Sequence, residues 1–307
     1  MQHKTVVVKS TLISIIISLF SMTGLAQQTN FFIDLDSVVE EYTVNSFSIS
    51  TRDIYGTNDS VYLFNIIPKF IENPRENPEF AKNRTKYLFL FSVLPTFNSD
   101  KKWVFYDKFP HHLNVLSFDK LLSIAGRFIY YDNRLKSPES YDVILKKGNK
   151  FFKSTTGTLQ IFYVTDLPDK FNIPKNVIDF NQPIITINDM QKIYETYYKE
   201  TDLPIGPNAN PKHLYNNGIE RFYLSKKFRI KEKDAYQFWT FQLWNEISHG
   251  ESWEQGIDRF IYIPDIGIVG GSFDFYFYYH RQKFGMTTLD FKNNIKQEKV
   301  MLAEELK

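Results

Sequence analysis

The residues with the most chemical promise cluster near the C-terminus. Gly270-Gly271 is a two-residue turn signal. Behind it the run Ser272 to His280 alternates, with Phe273, Phe275, Phe277 and Tyr279 on one face and Asp274, Tyr276, Tyr278 and His280 on the other. Pairing across that turn sets Gly267 opposite Asp274 and Asp265 opposite Tyr276. The two carboxylates then share a face as diagonal neighbours, about 7–8 Å apart at Cα. Gly267 carries no side chain and leaves room between them. Such a face binds by chemistry that is easy to name. Tyrosine rings stack on sugar or peptide, and carboxylates accept from hydroxyls and amines. This pattern predicts a ligand-binding platform of Asp265, Asp274, Tyr276 and Tyr278. Two carboxylates at that separation also suit acid–base work on a glycosidic bond, so the alternative is a carboxylate-dependent, glycosidase-like hydrolase.

Other constellations are less complete. Glu246 and His249 lie three apart on an expected helix and share a face, but no second Glu-x-x-His accompanies them to build a di-metal carboxylate site. Phe31 to Val38 (FFIDLDSV) resembles the first motif of the haloacid-dehalogenase-type phosphatases, an apolar strand followed by Asp-x-Asp. That resemblance implies Asp34 as nucleophile and Asp36 as acid–base. It covers eight residues, and no later acidic motif completes it. Ser117 and Lys120 fit Ser-x-x-Lys, yet the following elements are spaced too closely for a penicillin-binding serine enzyme. There is no phosphate loop, no His-Glu-x-x-His and no dinucleotide fingerprint. The expectation is therefore no cofactor, no metal and no catalytic residue.

The elements that must position these residues read as a mixture. Phe47, Ile49 and Thr51 alternate as a strand, Val61 to Ile67 is a continuous apolar run stopped by Pro68, and Tyr87 to Leu94 is another strand. Ser37 caps a short expected helix through Val44. Asp142 to Leu145 and Lys150 to Phe152 flank Gly148-Asn149 as a hairpin. Asp189 to Lys199 reads as a helix with Met190, Ile193 and Tyr197 inward. Residues 201–218 hold three prolines and two glycines, which marks a linker or long loop between an α+β region at 27–200 and a second at 219–307 that either stands apart or belongs to the same domain. A strand at 220–230 precedes an expected aromatic helix at 232–249, apolar nearly all round and hence buried on more than one side. An amphipathic helix from Asp290 onward, with Phe291, Ile295, Leu302 and Leu306 on one stripe, closes the chain. The fold class expected is α+β with mainly antiparallel sheet.

Composition bounds the rest. Zero cysteine excludes disulfides, thiolate metal sites and a thiol nucleophile. Lys4 and Lys9, the apolar core Leu12 to Phe20, and Gly24 and Ala26 follow the order of a cleaved signal peptide over residues 1–26. Those residues carry two lysines and no acid, so the chain's 37 basic and 35 acidic groups become 35 and 35 in residues 27–307. Zero net charge argues against nucleic acid or an anionic surface as partner, and no integral membrane segment is expected after cleavage. The aromatic content, 29 Phe and 19 Tyr, is high and marks binding surfaces as well as core. The sequence thus predicts an exported, periplasmic or extracellular binding or interaction protein of the bacterial cell envelope, its ligand a glycan, a peptide or an envelope protein.

Overall fold

The computed structural model describes residues 31–36, 39–69, 86–97, 102–110, 114–117, 119–123, 141–165, 177–199, 203, 205–208, 222–240 and 256–307. The expected signal peptide, residues Glu246 and His249, and most of the 201–218 segment lie outside them. The fold is α+β with mostly antiparallel sheet. Among the described residues, fifteen strands form three five-stranded sheets. In chain order they are β1 (Phe31–Asp34), β2 (Tyr42–Ser50), β3 (Ser60–Pro68), β4 (Tyr87–Val93), β5 (Trp103–Tyr106), β6 (Asn114–Val115), β7 (Tyr141–Lys147), β8 (Lys150–Ser154), β9 (Gly157–Thr165), β10 (Val177–Asp179), β11 (Phe222–Ile230), β12 (Lys233–Thr240), β13 (Arg259–Ile263), β14 (Gly267–Ser272) and β15 (Met301–Leu302). The helices bounded within the described residues are α1 (Arg52–Tyr55), α2 (Ile187–Tyr198), α3 (Asp274–His280) and α4 (Thr288–Lys296).

The first sheet has the order β5-β8-β7-β1-β6, the second β10-β9-β4-β3-β2, and the third β11-β12-β13-β14-β15. Among the described residues, only β1 with β6 and β7, and β9 with β10, pair in parallel. The second sheet is the middle layer. All seven residues of β4 are buried, the continuous apolar run expected of a strand covered on both faces. Phe64, Phe89, Phe91 and Ile161 pack toward the first sheet with Ile33 and Val143. Leu63, Leu88, Leu90 and Phe162 pack toward the third with Phe238 and Phe260. Residues from both expected regions, 27–200 and 219–307, therefore share one hydrophobic cluster.

Two amides bolt the middle sheet to the third. Asn65 on β3 accepts from Ile268 N at 2.7 Å and donates to Ile268 O at 2.8 Å, imitating a strand partner inside the core. Gln160 on β9 accepts from Ile257 N at 2.7 Å. Each needs a glycine opposite. A Cβ on Gly267 would lie 2.5 Å from the Asn65 amide oxygen, and one on Gly256 would lie 2.0 Å from Gln160 Cδ.

Several sequence expectations hold. The two-residue turn at Gly148-Asn149 joins β7 to β8, with Lys147 opposite Lys150. The strands expected near 47–51, 61–67, 87–94 and 220–230 are β2, β3, β4 and β11. Others are corrected. The aromatic segment that opens the expected helix 232–249 is strand β12 through Thr240. Ala235, Phe238 and Trp239 are all buried, and a strand covered on both faces shows the same all-round apolarity as a buried helix. Its start was hidden by the turn: Lys231 and Glu232 both adopt positive φ, 44° and 66°, without glycine or asparagine to announce a hairpin.

The 37–44 segment is no helix where it is described, since β2 begins at Tyr42. In α2 Met190 packs against the core as expected, but it is joined there by Ile187 and Tyr194, whereas Ile193 and Tyr197 are exposed. The C-terminal helix is confined to α4, where Phe291 and Ile295 are buried as expected, but Leu302 belongs to β15 and Leu306 to a short 3-10 turn.

Candidate binding site

The C-terminal hairpin turns at Pro264 to Ile266, ahead of the Gly270-Gly271 pair that signalled a turn. Ile263 pairs with Gly267, and Pro264, Asp265 and Ile266 form the turn, with Asp265 at φ 63°. Gly270 and Gly271 lie within β14 and are there for close approach. A Cβ on Gly270 would stand 2.3 Å from Met301 O of β15, and one on Gly271 2.2 Å from Ile257 Cδ1. Beyond Ser272 the chain enters helix α3, not a strand. In the run Asp274 to His280 the five consecutive residues Phe275 to Tyr279 are all aromatic, so the pattern fits period two and period 3.6 equally. The helix is selected by what it packs on: Tyr276, Phe277 and His280 gather around Phe97 with ring centroids 5.0–5.8 Å away.

The shared face of Asp265, Asp274, Tyr276 and Tyr278 is therefore not formed. Asp265 is exposed at the turn. Asp274 is fully buried. Tyr276 is buried and donates its hydroxyl to Pro95 O. Tyr278 is half-buried beneath the Arg281 guanidinium, 4.0 Å from the ring centroid.

Asp274 has instead a set of partners the sequence reading missed. It forms an ion pair with Arg259 on β13, both within the core at 0% and 3% exposure. Tyr55 on α1 donates its hydroxyl to Asp274 Oδ1 at 2.9 Å and accepts from Phe273 N at 2.7 Å. The Tyr55 ring lies flat on Phe277, 3.8 Å between centroids. Asp258 accepts from Phe275 N at 3.2 Å, which serves the first turn of α3 where Phe273 supplies no side-chain cap. Arg259 Nε donates to Lys299 O at 3.0 Å, and Ser272 Oγ accepts from Arg259 N at 3.2 Å. Burial opposes the Arg259 charge, but Asp274, then Tyr55 and Asp258, outweigh it and hold its pKa above the ordinary value. Burial, then the Asp274 charge, pushes the Tyr55 phenol well above its ordinary value, so it stays protonated and donates.

One donor in this cluster has no partner among the described residues. Arg259 Nη2 is buried and makes no hydrogen bond. Arg259, Asp258 and Asp274 also line a half-open recess of about 20 Å³ whose remaining wall is Trp239, Thr240, Ile187, Ile295 and the Ile205-Gly206 turn. A recess of that size takes one water-sized group. A sequence signal for it existed: Asp258-Arg259 stands inside the apolar run from Ile257 to Ile263, and adjacent charges in a buried strand require partners.

The remaining candidates are placed as follows. Asp34 ends β1 and is half-buried, with burial raising its pKa, while Asp36 accepts from Lys146 N at 3.0 Å and donates its own N–H to Asp34 Oδ1 at 3.2 Å. Ser117 Oγ accepts from Lys120 N at 3.3 Å, at the start of a helical turn over 119–123. Among the described residues, no group of three or more His, Asp or Glu is arranged to hold a metal, and no helix is long and apolar enough to cross a membrane.

Comparison of the chain with family models, with curated proteins and with solved structures finds no match.

Proposed function

We propose that this chain is an exported, non-catalytic binding protein of the cell envelope, and that the Arg259 recess receives a hydroxyl group of a neutral, glycan-like ligand. The observation that carries the reading is the buried, unpartnered Arg259 Nη2 beside a recess that two carboxylates also line. An unsatisfied buried donor of this kind costs about 1–3 kcal/mol, which a ligand acceptor would recover. Size and charge narrow the ligand group. The recess admits something the size of a water oxygen. Two aspartates face one arginine there, so an added carboxylate would bring a second uncompensated negative charge into low dielectric. A hydroxyl is water-sized, neutral, accepts from a guanidinium and donates to a carboxylate.

The test is calorimetric titration of the full chain with N-acetylglucosamine, its trimer and a neutral dipeptide amide. Ile205→Trp, at the recess wall and outside the ionic network, serves as the blocking variant. Saccharide binding that falls at least tenfold in the variant supports the reading. Binding of the dipeptide amide alone would replace the glycan with a peptide, and saccharide binding indifferent to Ile205→Trp would move the site elsewhere.

A further inference from the structure

The edge of the first sheet carries an inference independent of the recess. β5 is its outermost strand among the described residues. β5 pairs with β8 in antiparallel register, Trp103 opposite Ser154 through Tyr106 opposite Phe151. The bond from Thr155 N to Lys102 O, 3.2 Å, makes Lys102 and Thr155 a hydrogen-bonded pair. In an antiparallel ladder such pairs alternate with pairs whose N–H and C=O point away from each other. Val104 and Tyr106 therefore aim their backbone groups at β8. Trp103 and Phe105 aim theirs outward, where they meet no hydrogen-bonding partner among the described residues. Phe105 is also 43% exposed, with its ring against Phe152 at 5.8 Å between centroids and the Lys150 ammonium 4.9 Å from its own centroid. An exposed aromatic edge with open backbone groups is a template for another strand.

We propose that β5 pairs with the β5 of a second copy of this chain, antiparallel about a two-fold axis through Val104. The register follows from the two outward residues flanking Val104. A strand running antiparallel through that centre sets Trp103 opposite Phe105 of the second copy, and Phe105 opposite its Trp103. Both are outward-facing, so all four open N–H and C=O sets close into four backbone hydrogen bonds. Each Trp103 meets a Phe105 on the same face of the sheet, the aromatic cross-strand pair that stabilises such ladders. The two first sheets become one ten-stranded sheet, and the interface is isologous, the same strand serving on both sides. Four residues per copy make a small interface, well below the roughly 1,200 Å² of a stable complex, so association is expected to be concentration-dependent rather than obligate.

The experiment is sedimentation equilibrium of the full chain over a wide concentration range, on wild type and two variants. Phe105→Pro removes an outward N–H without removing a bond to β8, and edge positions tolerate proline. Phe105→Ala keeps the N–H and removes the ring. Far-UV circular dichroism establishes that both remain folded. Wild type should show a monomer–dimer equilibrium. Phe105→Pro should weaken it by at least tenfold and more than Phe105→Ala does, and the Trp103 and Phe105 amides should exchange more slowly with solvent as concentration rises. A wild type that stays monomeric throughout, a dimer insensitive to Phe105→Pro, or amide protection that requires an added acidic peptide rather than a second copy would each overturn the proposal. The last would assign the edge to an extended partner.

Discussion

Two regions of this molecule hold charge beside aromatic rings, and they use it in opposite ways. Around Arg259 on the third sheet the charges are inside the core, at 3% exposure for Arg259 and none for Asp274, and each is held by several fixed partners. Around Phe105 on the first sheet, Lys146, Lys147 and Lys150 are exposed, and their ammonium groups rest over Phe151, Phe152 and Phe105. The same residue chemistry costs little where water can reach it and must be paired where water cannot. The buried set therefore specifies how α1, α3 and the third sheet meet, whereas the exposed set leaves a backbone edge able to take a partner.

The largest expected effect lies in the buried region. Asp274→Ala leaves the Arg259 guanidinium without its counterion and should destabilise the fold by about 3–5 kcal/mol, read by denaturant unfolding. Replacing the pair together, Arg259→Met with Asp274→Leu, should recover much of that loss. If the double variant is no better than the single one, the pair is not an isolated unit and the comparison with the exposed region loses its basis. Next comes Asn65→Ala, which strands Ile268 N–H and C=O between two sheets and should cost about 2–4 kcal/mol in the same measurement. Tyr55→Phe removes one hydroxyl that both donates and accepts, and about 1–2 kcal/mol is expected.

A pH measurement tests the intermediate case. Asp142 on β7 is buried, with Ser154 Oγ donating at 2.9 Å and Lys153 Nζ 3.8 Å away. Burial raises its pKa above 3.8, outweighing the Lys153 and Ser154 contributions. A folded value above the unfolded one means the native state binds this proton more tightly. Asp142 therefore contributes least at neutral pH, and its contribution to stability grows as pH falls through the folded value toward 3.8. Asp142→Asn should remove that gain, so the wild-type advantage over the variant should widen on acidification; a constant difference would put the carboxyl in a solvated environment. The smallest effect is expected at the exposed tip, where Lys150→Gln should change stability by no more than about 0.5 kcal/mol. A much larger loss there would contradict the contrast from its other side.

The middle sheet was largely legible in the sequence because its strands announce themselves. β3 and β4 are continuous apolar runs, and Pro68 stops β3 where expected. The Gly148-Asn149 hairpin was legible because a two-residue turn needs residues that tolerate positive φ. The candidate site was not legible. Lys231 and Glu232 make the same kind of turn without those residue types, so β12 read as a helix. Gly270-Gly271 carried a turn signal but serves a strand pressed between β15 and Ile257. Asp274 was found as a chemically interesting residue and placed on the wrong element, so its partners Arg259 and Tyr55, 15 and 219 residues away in the chain, went unseen.

By itself the sequence determined what depends on local chemistry: an α+β class with mostly antiparallel sheet, the absence of any thiol, the strands of the middle layer and the Gly148-Asn149 turn. Only the tertiary structure decided whether an aromatic run became strand or helix, which glycine marked a turn and which a close approach, and which charges left water. These outcomes follow from partners distant in sequence. A residue's burial and its hydrogen-bond partner are properties of two or more segments at once, and no window along one segment contains the other.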